Sequence, residues 1–126
     1  MAVQPVSREG DSLTTGHICA ATTTLDTPGQ GTVFANGALI ARIGDPTVPH
    51  PFPPNPPCAP HVATVGAGSP TVYVAGIKAT FITAAADAGA MTSGATNVFV
   101  ATAKSAVTAK LGVEIFTPNV GTPAEI

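Results

Sequence analysis

The stretch TVYVAG at residues 71–76 decides the fold class, because related runs recur at residues 32–37 (TVFANG) and 97–102 (NVFVAT). Each run is short and rich in β-branched and aromatic residues, and two of them end at a glycine, as strands entering hairpin turns do. Return runs follow at residues 38–43 (ALIARI) and 77–82 (IKATFI). The pattern predicts an all-β fold of short strands in three repeated units.

The start of each unit is marked by an aspartate, at residues 10–11 (GD), 44–45 (GD) and, more weakly, 86–87 (AD). Each repeated run carries an aromatic residue at the matching position, which predicts three equivalent core positions. These residues are Phe34, Tyr73 and Phe99.

The composition excludes several classes of function. With 13 Gly, 13 Pro, five basic and seven acidic residues, the chain lacks the basic surface that nucleic acids and anionic membranes attract. No stretch approaches the roughly 20 apolar residues of a membrane span. Residues 1–11 have no apolar signal-peptide core, so we expect synthesis in the cytoplasm without a signal peptide. We therefore expect Cys19 and Cys58 to be free thiols or metal ligands rather than a disulfide.

All histidines and cysteines lie in the loops of the first two units, with His17 and Cys19 in the first and His50, Cys58 and His61 in the second. Zinc is commonly bound by mixed sets of cysteine and histidine. Alignment of the repeated strands places His17 and His61 at equivalent positions of the first two units. The equivalent position of the third unit holds no ligand residue. Residues 46–60 contain eight prolines, so this segment is stiff and costs less entropy to fix.

These loops predict one metal site with three nitrogen ligands and one sulfur ligand. The predicted ligands are His17, His50, Cys58 and His61. Cys19 is the alternative sulfur ligand, but Ala63 matches it in the repeat without being a ligand. Four protein ligands indicate a closed, structural site, whereas catalytic zinc keeps an open position. No residue is predicted to be catalytic, and the chain is not expected to be an enzyme.

Residues 36–45 (NGALIARIGD) and 68–76 (GSPTVYVAG) resemble PAAR-repeat proteins. The sequence LIAR at residues 39–42 of this chain takes the place of the Pro-Ala-Ala-Arg motif that gives the family its name. Residues 8–17 (REGDSLTTGH) are similar to the phage branch of that family. The resemblance defines a predicted domain at residues 6–102. Residues 103–126 would then form a C-terminal extension that packs on this cone-shaped domain or on a neighbouring protein. The second return run, residues 77–82 (IKATFI), lacks the Pro-Ala-Ala-Arg motif.

The resemblance implies a conical fold with pseudo-threefold repeats, whose apex is stapled by a metal held by three histidines and one cysteine. The metal would be zinc or, alternatively, iron. The base would cap the trimeric β-helical central spike of a contractile injection system, of the VgrG or phage type. Such a tip would sit at the virion baseplate or on a type VI secretion spike, and would contact the target cell envelope transiently while piercing it.

Two other classes of function fit the sequence less well. The first is a small metal-bound virion decoration or adhesin domain, which copurification with a trimeric spike would distinguish from a tip. The second is a zinc-dependent hydrolase, which would need an open coordination position and turnover of an ester or a peptide.

Overall fold

The computed structural model describes residues 2–53 and 58–103. Within these residues the protein is all-β, as predicted, and it has no helix long and apolar enough to cross a membrane. Residues 104–126 of the C-terminal extension predicted at 103–126 lie outside the described residues. The strands are β1 Val3–Pro5, β2 Ser12–His17, β3 Ala20–Thr24, β4 Phe34–Ala35, β5 Ala38–Leu39, β6 His50–Phe52, β7 Ala59–His61, β8 Tyr73–Val74, β9 Ile77–Lys78, β10 Ala85–Ala86, β11 Gly89–Ala90 and β12 Phe99–Ala101.

The described strands form six antiparallel pairs of two kinds. Three pairs contain the repeated aromatic runs and are called the aromatic hairpins: β4–β5, β8–β9 and β1–β12. The other three follow the unit-starting turns and are called the site hairpins: β2–β3, β6–β7 and β10–β11. The third aromatic pair joins the two ends of the described chain. In this pair β1 takes the place of the return strand that follows the turn in the other two pairs.

A closed ring of backbone hydrogen bonds joins the three units. The amide of Ser7 donates to the Thr80 carbonyl (3.0 Å), the amide of Thr80 to the Ala41 carbonyl (3.0 Å), and the amide of Ala41 to the Ser7 carbonyl (2.9 Å). All three residues are fully buried. The ring satisfies backbone groups that would otherwise be costly to bury, and it joins three segments that are far apart in sequence.

The first two site hairpins begin after matching turns. The amides of Asp11 and Asp45 donate to the carbonyls of Arg8 and Arg42, each at 3.0 Å. In return, each aspartate carboxylate accepts a 2.7 Å bond from the amide of its arginine. The side chain therefore holds the turn closed, which explains the spacing of arginine and aspartate in the sequence.

The third turn is not at residues 86–87, where the repeat predicted it. It lies three residues earlier, where the amide of Ala84 donates to the Phe81 carbonyl at 3.0 Å. Thr83 has a φ of 82°, close to the 85° of Gly10 and the 88° of Gly44. The apolar residues Phe81 and Ala84 occupy the positions of the arginine and the aspartate, so the sequence signal of the turn is lost.

The predicted core position of the aromatic residues is wrong. Phe34, Tyr73 and Phe99 are 56%, 56% and 53% exposed, respectively. Because side chains alternate along a strand, the residue that follows each aromatic faces inward instead. These inward residues, Ala35, Val74 and Val100, are at most 4% exposed and belong to the core.

Candidate metal centre

Three imidazole rings converge on a single carboxylate oxygen. Oδ2 of Asp87 lies 2.8 Å from Nε2 of His17, 2.8 Å from Nε2 of His50 and 3.3 Å from Nε2 of His61. The four candidate ligand atoms all lie within 4.8 Å of one another. In a tetrahedral zinc site with bonds of about 2.0–2.1 Å, neighbouring ligand atoms are about 3.3 Å apart. The groups therefore lie close enough to hold one small cation after small shifts of their side chains.

The site hairpins of the first two units supply the histidines. His17 ends β2, whereas His50 and His61 face each other as a register pair of β6 and β7. The rings of His17 and His50 stack with an interplanar angle of 7°. His17 therefore matches His50 on the outgoing strand, not His61 as the repeat predicted, because His61 lies on the returning strand.

Asp87 comes from the turn of the third site hairpin, where its φ is 56°. Aspartate tolerates this left-handed conformation better than most residues. The turn presses against the first site hairpin, since the Ala88 amide donates to the Thr15 carbonyl at 2.8 Å. A Cβ at Gly16 would overlap the Ala88 backbone, and one at Gly89 would overlap Thr14. These two glycines permit the close approach that places Asp87 beside His17.

The hydrogen bonds at Nδ1 prepare two of the rings to bind a cation. Nδ1 of His17 lies 2.8 Å from the Ile18 carbonyl, and Nδ1 of His50 lies 2.9 Å from the Val48 carbonyl. A carbonyl only accepts, so Nδ1 carries the proton and the neutral ring directs the lone pair of Nε2 toward Asp87. This is the usual arrangement around a metal-bound histidine.

Without a cation, two such rings could bond to Asp87 only as imidazolium ions, each bringing a positive charge into the cluster. The side chains of His50, Asp87 and His17 are only 4%, 5% and 8% exposed, and burial of charge is costly. A divalent ion instead uses the lone pairs of neutral rings and the charge of one carboxylate. The donor set therefore fits a resident metal ion.

The acid–base properties of the cluster follow from the same contacts. Burial alone raises the pKa of the Asp87 carboxyl, but hydrogen bonds to His50, His17 and His61 outweigh it and hold that pKa below its ordinary value. The Ile18 carbonyl, with a smaller contribution from Asp87, raises the pKa of His17 against the opposing effect of burial. The carboxylate is thus kept in the ionised form that binds a cation.

The cysteines do not occupy the predicted positions. Cys19 and Cys58 form a disulfide, in contrast to the expected free thiols, and Cys58 is not part of the cluster. The structure brings together His17, His50 and His61 as expected, with Asp87 at the position that the sequence analysis gave to a sulfur. Asp87 was missed because it was interpreted as a unit-starting turn residue; its place in the third loop was the signal available.

An aromatic side chain outside the predicted ligand set covers the site. The ring of Phe52 stacks on His61 with centroids 4.1 Å apart and meets the edge of His17 at 4.8 Å. Phe52 is 38% exposed, and the side chain of His61 is the most exposed of the three histidines at 25%. Phe52 therefore limits the access of water to the imidazole rings.

No protein-family model matches the chain, and no curated protein is significantly similar to it. Its function must therefore be argued from the residues and their geometry.

Proposed function

We propose that this chain is a PAAR-type spike tip: a conical, metal-stapled cap on the trimeric β-helical central spike of a contractile injection system, most simply a phage tail. The convergence of three histidines and Asp87 from three separate hairpins is the observation that carries this proposal. The resemblance of residues 6–102 to PAAR-repeat proteins supplies the class of machine.

The metal would act as a structural staple. Its resident ion would be zinc or iron, held by His17, His50, His61 and Asp87, and its role would be to tie the site hairpins together where there is little room for a hydrophobic core. Because all four positions of a tetrahedral ion are filled by protein atoms, the site favours structure over catalysis. Binding free energy then becomes folding free energy.

The three exposed aromatics supply a surface for a threefold partner. Phe34, Tyr73 and Phe99 have almost equal exposure and occupy matching positions on the three aromatic hairpins. A ring of three similar apolar contacts suits the end of a trimer, in which each subunit offers the same patch. Large exposed side chains of this kind are typical of interface anchors. We propose that this ring is the base of the cone.

The opposite end of the proposed cone carries apolar side chains around the metal. Ile18 and Val62, each adjacent in sequence to a candidate ligand, are 63% and 52% exposed, and the Phe52 ring contacts the rings of His17 and His61. An apex of this character would enter the hydrocarbon of a target envelope at lower cost than a charged one. These exposed apolar side chains support the proposal that the tip contacts the target cell envelope transiently.

The proposal is tested by binding to the cognate trimeric spike. The substitutions Phe34→Ser, Tyr73→Ser and Phe99→Ser, combined in one chain, should abolish copurification with the spike while leaving the melting temperature nearly unchanged, since these side chains lie outside the core. The matched control combines Ile18→Ser and Val62→Ser, which remove exposed apolar side chains near the metal, and it should bind normally. Equal spike binding by both variants, or none by the unmodified protein, would contradict the proposal.

A further inference from the structure

The disulfide lies in the same loops as the candidate metal ligands. Cys19 and Cys58 are 39 residues apart in sequence and have Cα atoms 5.9 Å apart. Cys19 follows His17 by two residues in the turn of the first site hairpin, and Cys58 precedes His61 by three residues next to β7. The disulfide therefore links the two hairpins that supply the histidines.

The metal and the disulfide close one small ring of covalent and coordinate bonds. Starting at the ion, the ring runs from His17 to Cys19 within the first hairpin, crosses the disulfide to Cys58, and returns through His61. Formation of the disulfide holds His17 and His61 near each other, and binding of the metal does the same for the two cysteines. Formation of the second link therefore loses less conformational entropy than formation of the first. Neither link competes for the atoms of the other, since the carboxylate of Asp87 takes the fourth ligand position.

We propose that the Cys19–Cys58 disulfide and the metal ion stabilise each other, so that the oxidation state of this pair controls how tightly the site retains its metal. The inference rests on the metal centre of the proposed function. Reduction by a dithiol such as dithiothreitol transfers two electrons and two protons to the pair, yields two thiols and oxidises the dithiol to its cyclic disulfide. It opens the ring, so that the disulfide no longer restrains the two loops that carry His17 and His61.

Thermodynamic linkage makes the coupling measurable in both directions. If the disulfide increases zinc affinity by a given factor, zinc must favour the disulfide over the dithiol by the same factor. Couplings between linked sites are typically about 5- to 150-fold, and we expect a value in that range. An oxidising environment would thus hold the metal more firmly than a reducing one.

The first arm of the experiment measures zinc affinity by competition with a chelator. It compares the full-length oxidised protein, the same protein after reduction, and the double variant Cys19→Ser/Cys58→Ser, which lacks both the disulfide and the thiols. We expect the reduced protein and the double variant to bind zinc more weakly than the oxidised protein. Cobalt in place of zinc should give no thiolate charge-transfer absorption in the oxidised form.

The second arm measures the disulfide–dithiol equilibrium in glutathione buffers, with and without zinc. Zinc should shift the unmodified protein toward the disulfide by the factor found in the first arm. In Asp87→Ala, which weakens the site but keeps both cysteines, that shift should be much smaller. This variant also reveals direct binding of zinc to the free thiols, which would act in the opposite direction.

The outcomes separate this inference from the proposed function. Equal zinc affinity in the oxidised protein and the double serine variant would overturn the coupling while leaving the metal centre intact. Tighter binding after reduction, accompanied by thiolate absorption with cobalt, would overturn it by showing that a sulfur replaces the carboxylate. The absence of zinc binding in every form would overturn the metal centre and the coupling together.

Discussion

Nε2 of His50 lies 2.8 Å from Oδ2 of Asp87, although 37 residues separate them in sequence. Each residue belongs to a different site hairpin, and His17 of the remaining hairpin contacts the same oxygen at 2.8 Å. One point in space therefore joins all three hairpins. If the proposed ion is bound at that point, its loss would remove one contact from each of the three hairpins at once, so we expect metal binding to add to the free energy of unfolding.

The carboxylate of Asp87 should be required for metal binding. We expect Asp87→Ala to reduce zinc affinity at least as much as the roughly 10- to 100-fold loss that removal of an outer-shell partner causes. Chelator competition measures this change. The matched control is Asp26→Asn, at an exposed aspartate whose Oδ1 accepts a bond from the neighbouring Thr27 amide. Equal affinity in Asp87→Ala and the control would remove Asp87 from the ligand set.

Thr83 should be replaceable by glycine with a gain in stability. Its φ of 82° is unfavourable for a β-branched residue, and the matching positions in the other two turns are Gly10 and Gly44. Because the Thr83 side chain is exposed, its removal costs little packing, and we expect Thr83→Gly to raise the free energy of unfolding by about 1 kcal/mol.

Chemical denaturation measures the effect of Thr83→Gly against a second threonine. Thr92 is also exposed but is not among the residues with positive φ, so Thr92→Gly should lower stability through the added freedom of the unfolded chain. A loss of the same size in both variants would show that Thr83 is not strained.

Arg42 should contribute strongly to the free energy of unfolding. Its guanidinium is nearly buried, with Nη1 donating to the carbonyls of Val74 (3.3 Å) and Ala75 (3.4 Å) at the turn of an aromatic hairpin. Arg42→Met keeps most of the volume but removes the side-chain donor to these carbonyls and the positive charge 3.5 Å from the buried Asp45 carboxylate. That carboxylate keeps its bonds from the backbone amides of residue 42 and Gly29. We expect a loss of about 2–4 kcal/mol in urea unfolding.

The matched control for Arg42 is Lys78→Met, which removes a positive charge from a half-buried side chain on β9. It should change the free energy of unfolding by less than about 1 kcal/mol, as expected for a charge outside a buried network. An equal loss of stability in both variants would show that the loss comes from removal of one positive charge, and not from the contacts of Arg42.

The sequence predicted the all-β class from the short runs that recur along the chain, and it predicted the meeting of the three histidines from their place in the loops of the first two units. It failed where the third unit departs from the other two. Phe81 and Ala84 replace the arginine and aspartate of the turn, so the turn signal vanished and Asp87 was assigned to it. The resulting shift hid the carboxylate that meets the histidines.

Two other differences have physical causes that a single sequence does not reveal. The direction of Phe34, Tyr73 and Phe99 depends on which face of a strand of two or three residues meets the core, and strands so short show too little alternation to decide it. Whether Cys19 and Cys58 pair depends on the distance between two loops, which is a property of the folded chain.

Whether a metal ion joins the three site hairpins is tested most directly by the metal content of the full-length protein together with its melting temperature before and after chelation. We expect one zinc or iron ion per chain, and a melting temperature that falls by at least about 10 °C on metal removal, since each kcal/mol is worth about 4–8 °C in a domain of this size. Restoring the ion should restore the melting temperature, but not in His61→Ala. A metal-free protein with the same melting temperature would show that no ion stabilises the site.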